Sequence, residues 1–462
     1  MTASQAIRPT DPDLHGRPRR TMGVVGVLLL CALLSDQFQA HGVLNSHDLR
    51  LWQFFVAVLG LLLFSWGRLL VPRAVVAATL LVSLHSVAVV LIGGVFKWFM
   101  AVQIALVAGS FLVFYSALKA LPVSRLPEIY LWGARLVAWS IVCEQLLHVV
   151  APALAESTLY AVMGKWDGPL GLVRAHGLMM EPSQVALVLP PAIFVCLVQR
   201  RLQTALFLVL STYLTFSGLT YIGLLAVALV YLLIAQGIRW QMVVAGALVA
   251  ALAVAAPPVK ERVVATGKAA ALIADGQSFD GQAYFEALRG SVGSVAVATL
   301  VSASAFSRNH MLGTGIGLLG TEGERWLESV RSEDTASLLK NTKLFAKIDT
   351  GGSLVLRVLG EFGVLGVVIG ILGLCLGISS VRRLRRIVRF DRNWRTDWRL
   401  QVVGLFLVLL IPYLVRKDGY LNVYLLLPLA GWFLAARGLG VIGSRRTFRA
   451  MAASPAMKVA GG

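Results

Sequence analysis

The chain is a succession of apolar runs, each near the length a helix needs to cross a bilayer, separated by short basic segments. A transmembrane helix takes about 20 mainly apolar residues, because lipid offers no partner to backbone N–H and C=O groups and each segment must satisfy its own. Twelve such runs can be counted, near residues 22–37, 51–68, 74–95, 98–118, 129–151, 184–199, 203–217, 219–237, 240–257, 354–378, 400–415 and 419–438. Only 14% of the 462 residues are charged and 57% are hydrophobic, against about 25% charged in soluble domains. The expected fold is an all-α integral membrane protein with about 12 transmembrane helices and one large periplasmic loop between helices 9 and 10. The seventh and eighth runs are short and touch at Ser217 and Gly218, which fits either a tight hairpin or one broken re-entrant element.

Orientation follows from where the basic residues fall, since short loops rich in Lys and Arg stay in the cytoplasm. With twelve spans, one side of the membrane receives Arg17, Arg19 and Arg20, then Arg68 and Arg73, Lys119 and Arg125, Arg200 and Arg201, and Arg239. The same side receives the cluster from Arg382 to Arg399 and the tail residues Arg445, Arg446 and Arg449. Lys97 is a minor exception. The chain then divides into a cytoplasmic N-terminal tail (1–21) and nine helices (22–258) that include a periplasmic loop at 152–183. A large periplasmic loop (259–352) follows, then helices 10 to 12 (353–438) with an Arg-rich cytoplasmic loop (379–399), and a cytoplasmic tail (439–462). Both termini are expected in the cytoplasm of a bacterial inner membrane.

The large loop carries ten Lys/Arg and ten Asp/Glu, whereas the chain as a whole has a net charge of +19. The basic excess therefore lies in the topology-setting segments, which explains the high pI without nucleic acid. Those arginines can also meet anionic lipid headgroups, although such a run is commonly a topology anchor alone. The four cysteines sit singly inside apolar runs and read as small buried hydrophobes, with no disulfide framework and no metal-ligand spacing. The basic N-terminus runs into an apolar segment with no cleavage-site pattern, so it reads as an uncleaved first span. The nine-plus-three division of spans lacks the two matching halves of many transporters.

Four polar constellations lie on the outer side. The first is Arg174-Ala175-His176-Gly177 followed by Glu181-Pro182 at the start of the sixth run. Proline suits a first helical turn and a carboxylate there complements the helix dipole, a sufficient reason for Glu181 on its own. The fifth run, with Arg135 and Glu144, should face other helices rather than lipid. The second constellation joins Arg289 to the run Gly313, Gly315 and Gly317, whose glycines allow close backbone approach. His310 beside it reads as a surface or packing histidine. The third is Arg357 and Glu361, one helical turn apart in the tenth run, which either pair with each other only or face a cavity. The fourth is Arg416 in a short outer turn, against the positive-inside trend. Together they surround Glu181 and Glu361 with Arg174, Arg289, Arg357 and Arg416, the kind of guanidinium set that holds a diphosphate.

In the order of these parts the chain resembles the O-antigen polymerase and ligase superfamily of bacterial inner-membrane glycosyltransferases. The resemblance covers about residues 160–435. It rests on Arg174, Gly177, Glu181 and Pro182 opening a span, the Ser217-Gly218 hairpin, Arg289 and the Leu-Gly-x-Gly-x-Gly run from Leu312, and Glu-Phe-Gly-x-Leu-Gly from Glu361 to Gly366. It implies transfer of a glycan from an undecaprenyl diphosphate carrier to a hydroxyl, with no metal, nucleotide or other cofactor. Glu181 or Glu361 would be the base, and the arginines would bind substrate. Ligases of the family usually carry His-Asn near the end of the large loop. Here Asp349-Thr350-Gly351-Gly352-Ser353 stands there, which favours a polymerase. A flippase and a chain-length regulator are the partners the resemblance implies, alongside membrane lipids. The rivals are a ligase, and a transporter or flippase of the same lipid-linked sugars.

Overall fold

A computed structural model describes residues 19–35, 39–44, 47–93, 98–160, 165, 168, 171–179, 181–235, 302, 305–306, 309–316, 318–319, 353–391, 393–415 and 422–441. The ninth apolar run at 240–257 lies outside them.

The described chain is helical apart from one antiparallel hairpin, β1 (Gln39–Leu44) with β2 (His47–Arg50). The helices in order are α1 (Arg19–Ser35), α2 (Leu51–Ser65), α3 (Arg73–Gly93), α4 (Phe99–Ala120), α5 (Leu126–Val150), α6 (Leu189–Val198), α7 (Leu202–Tyr213), α8 (Gly218–Ala235), α9 (Leu354–Phe390), α10 (Trp398–Val415) and α11 (Val423–Gly438). Local sequence sets many of their ends. Pro127 and Glu128 open α5, suited to a helix N-terminus by geometry and by charge. Ser353 caps α9 by accepting from Leu356 N at 3.2 Å, and Asn422 caps α11 by accepting from Tyr424 N at 2.8 Å.

Among the described residues, four helical stretches suffice by length and composition to cross a membrane: Arg73–Ile92, Met100–Ala120, Val123–Val150 and Leu354–Phe390. The other described apolar helical stretches, Gly218–Ile234 and Trp398–Leu414 among them, have 10–17 residues. The shortest are α6 and α7, with 10 and 12 residues. At 1.5 Å per residue they rise only about 15 and 18 Å, roughly half of a hydrocarbon core.

One large core joins α1, α2, α4, α5, α6, α7, α8, α10 and α11. α6 and α11 are buried on nearly every side, whereas α3 and the later part of α9 turn Leu84, Leu91, Ile371 and Leu374 outward. A large apolar surface of that kind on a helix belongs against lipid.

Two expectations from sequence are corrected here. First, the tenth run is not one straight span. Gly363 has φ 54° and ψ −129°, outside the helical region, and divides α9 into 354–362 and 364–390. A Cβ on Gly366 would lie 2.4 Å from the Val358 carbonyl oxygen, whereas residues eight apart in a straight helix are separated by about 12 Å. The two pieces therefore meet at a sharp corner. The apolar stretch 364–381 rises about 27 Å and can span by itself. Second, helix continues to Phe390, so the Arg-rich connection between spans is not a loop from 379. Within the stretch read as the large outer loop, Asn309, Thr314, Ile316, Leu318 and Leu319 are buried, with Ile316 and Leu318 packing on Met100 and Phe362. The alternation of glycine with Leu and Ile in this stretch suits it to lie between helices.

Candidate functional site

Helical structure gives way at two buried places, and each lies beside an Arg/Glu pair. The first is the stretch 171–188 between α5 and α6. Its backbone carries N–H groups with no helical partner, and α5 supplies acceptors from side chains. Glu144 Oε2 accepts from His176 N at 2.8 Å and from Gly177 N at 2.7 Å. Ser140 Oγ accepts from Leu178 N at 3.0 Å, and Gln145 donates to the Val173 carbonyl. The His176 ring lies 3.5 Å from Glu144 Oε1, and both side chains are almost wholly buried. Gly177 sits at φ 60°, and a Cβ there would fall 2.2 Å from Ser140 Oγ, so only glycine lets the chain lie this close to α5. The expectation that Glu144 faces protein rather than lipid holds. Arg135, half-buried on the same helix, donates to Thr204 Oγ1 at 3.3 Å.

This clasp fixes both ends of the first constellation. Arg174 is half-buried. Glu181 is half-buried, precedes the 3-10 turn Pro182–Leu187, and accepts from Ser183 Oγ at 3.0 Å. The short connection after α7 closes the floor: Ala175 N donates to the Leu214 carbonyl at 3.3 Å, and Thr215 and Thr220 hydroxyls meet at 2.9 Å. The seventh and eighth runs are two helices joined by residues 214–217.

The second place is the corner in α9. Here backbone meets backbone. Thr314 N donates to the Gly360 carbonyl at 2.8 Å, Gly315 N to the Glu361 carbonyl at 2.9 Å, and Val364 N to the Met311 carbonyl at 2.9 Å. The chain can approach so closely because Gly313 and Gly363 face each other's strands: a Cβ on Gly363 would lie 2.0 Å from the Met311 carbonyl oxygen, and one on Gly313 2.6 Å from that of Gly360. His85 of α3 adds a third element, with Nε2 2.9 Å from the Leu312 carbonyl and its ring 5.5 Å from that of Phe362. On the short piece 354–362, Arg357 Nε donates to Glu361 Oε1 at 3.0 Å. Glu361 is fully buried and Arg357 nearly so. The pair lies in the apolar stretch Leu354–Phe390, on the piece that precedes the corner.

Of the residues singled out from sequence, the structure thus places Arg174 with Glu181 at the first junction, and Arg357, Glu361, Gly313 and Gly315 at the second. Arg289, Gly317 and Arg416 lie outside the described residues. His310 is exposed, at φ 49°, in keeping with a surface histidine. Helix α8 packs against both the 182–187 turn and α9. Sequence reasoning passed over His85 and gave Glu144 only a packing role. An ionisable residue within an apolar run was the available signal for each. Among the described residues no group of three or more His, Cys, Asp or Glu side chains is placed to hold a metal ion. Against known proteins, the chain matches no family model and no curated sequence.

Proposed function

We propose that the protein polymerises undecaprenyl-diphosphate-linked oligosaccharide repeats into O-antigen or exopolysaccharide at the periplasmic face of a bacterial inner membrane. It would do so as a bundle of 12 spans with both termini in the cytoplasm. The observation that supports this most is the pair of buried helix breaks, each bearing an arginine and a glutamate. Irregular backbone at membrane depth is tolerated only where protein buries it or where it borders a water-filled cavity. Charges kept there at a cost are commonly functional.

In this reading the acceptor hydroxyl oxygen attacks the anomeric carbon of the growing chain. The bond from that carbon to the carrier's diphosphate breaks, and the diphosphate leaves with both electrons. Arg174 and Arg357 hold it by charge-assisted hydrogen bonds, which strengthen as negative charge develops. Arg289 and Arg416 join them on sequence grounds. A carboxylate takes the hydroxyl proton. Glu181, half-buried and accepting from Ser183 Oγ, is the proposed general base, while fully buried Glu361 orients Arg357. The flippase and chain-length regulator expected from the resemblance remain the proposed partners.

The test uses purified protein in detergent with synthetic lipid-diphosphate repeat units, products being resolved on a gel. A ladder formed without nucleotide is expected, and Arg174→Ala or Arg357→Ala should abolish it. Absence of a ladder would overturn the reading. Movement of lipid-linked sugar across a proteoliposome membrane would then make the protein a flippase, and transfer to a lipid core would make it a ligase.

A further inference from the structure

The arginines at the end of α9 form one face. Arg382, Arg385, Arg386 and Arg389 are all exposed and stand at i, i+3, i+4 and i+7, the spacing of a single helical stripe. The opposite face is held by the protein: Leu384 is fully buried, and Ile387 and Val388 pack on the main core. Arg383, between them in sequence, turns inward and donates to the Leu439 carbonyl. The helix therefore cannot roll to hide the stripe. The nearby carboxylates are engaged elsewhere, Asp391 accepting from Asn393 N at 2.8 Å and Asp397 bound to Arg399 at 2.7 Å. No ion pair joins the four arginines to any described carboxylate.

The stripe continues a surface that already faces lipid. Ile371, Leu374 and Ile378 are exposed at three- and four-residue spacing, and the next steps of that spacing are Arg382, Arg385 and Arg389. The change from apolar to cationic comes after 364–381, a rise of about one hydrocarbon thickness. Arg389 lies over the exposed ring of Phe390 and Arg395 over Trp394, aromatic placement suited to the interface. Planar guanidinium groups on one helical face present paired donors to phosphate oxygens.

We infer that Arg382, Arg385, Arg386 and Arg389 form a binding surface for anionic phospholipid headgroups in the leaflet at this end of α9, beyond serving as a topology signal. The surface is independent of the proposed polymerase chemistry. It is tested by native mass spectrometry of the purified protein with added phosphatidylglycerol or phosphatidylethanolamine. Wild-type protein should retain phosphatidylglycerol preferentially, by about tenfold, as expected when several basic groups share the anionic partner. Phosphatidylglycerol should also raise its thermal midpoint. The variant with all four arginines changed to Gln should lose both effects. The variant with all four changed to Lys keeps charge and topology and should retain part of the preference. Should the Gln variant fail to insert, single Arg385→Gln and the Lys variant decide, each expected to bind less phosphatidylglycerol than wild type. No lipid preference in the wild type would overturn the inference. So would wild-type retention of phosphatidylglycerol by a monodisperse Gln variant of unchanged topology, or by both fallback variants.

Discussion

The two junctions solve one problem in opposite ways. At each, the chain leaves the helix and its backbone groups find partners elsewhere in the protein. At 171–188 the partners are side chains: Glu144, Ser140 and Gln145 reach out from an unbroken α5 to an irregular strand. At the corner of α9 the partners are backbone groups, brought into range by the absence of side chains at Gly313 and Gly363. A side-chain clasp depends on the chemistry of one residue and can be adjusted by conservative change. A backbone clasp depends on space and tolerates no added atom. The first is suited to place a polar loop and the second to lock a rigid corner.

The largest expected effect is at the corner. Gly363→Ala puts a methyl group into the Met311 carbonyl at a backbone conformation that L-residues rarely adopt. Destabilisation of about 4 kcal/mol is expected, read as loss of the monodisperse species or a large fall in thermal midpoint in detergent. A near-wild-type midpoint would mean that the corner does not lock the fold.

Next comes Glu144. Glu144→Leu strands the N–H groups of His176 and Gly177 without an acceptor, at about 3 kcal/mol. Glu144→Gln keeps a carbonyl oxygen able to accept both, so it should recover most of the thermal midpoint. Equal loss in the two variants would show that charge toward His176, rather than the hydrogen bonds, holds the stretch.

His85→Leu tests the third element at the corner. It removes one hydrogen bond to the Leu312 carbonyl and should lower stability by about 1 kcal/mol, the scale of a single interhelical bond in a membrane bundle. A fall as large as that for Gly363→Ala would make the corner a side-chain clasp as well, and erase the contrast. The smallest effect is predicted for Gly370→Ala on the same helix, where a Cβ meets nothing within 4 Å. A gain of about 0.5 kcal/mol is expected from helix propensity alone. A loss there would point to general intolerance of α9 to added bulk.

The bundle was legible in the sequence because lipid imposes one rule on every span, and a run of apolar residues shows it directly. The third, fourth and fifth runs match α3, α4 and α5 to within three residues at each end. The corner was not legible in the same way. Leu-Gly-Glu-Phe-Gly-Val-Leu-Gly reads as apolar helix, and glycine is common enough in membrane helices that Gly363 gave no warning. Only the arrival of residues 311–315 across it makes the break favourable. The burial of 309–319 was hidden for a related reason: its apolar residues are too few and too mixed with glycine to register as a membrane segment. The Arg174–Glu181 stretch was singled out by its polar residues, but its anchor on Glu144 lies some 30 residues earlier, a pairing that no local pattern encodes.

Hydropathy, read along the chain, determined that this protein is built of apolar helices suited to a membrane and where most of the described ones lie, because each helix must satisfy its backbone within itself. It also gave the polar residues that do not fit that scheme. What the tertiary structure decided is where helices stop short and what replaces them. A broken hydrogen-bond ladder in a low-dielectric interior is stable only when a specific partner arrives from elsewhere in the chain. The partners here, Glu144 to Gly177 and Met311 to Val364, are separated by 33 and 53 residues.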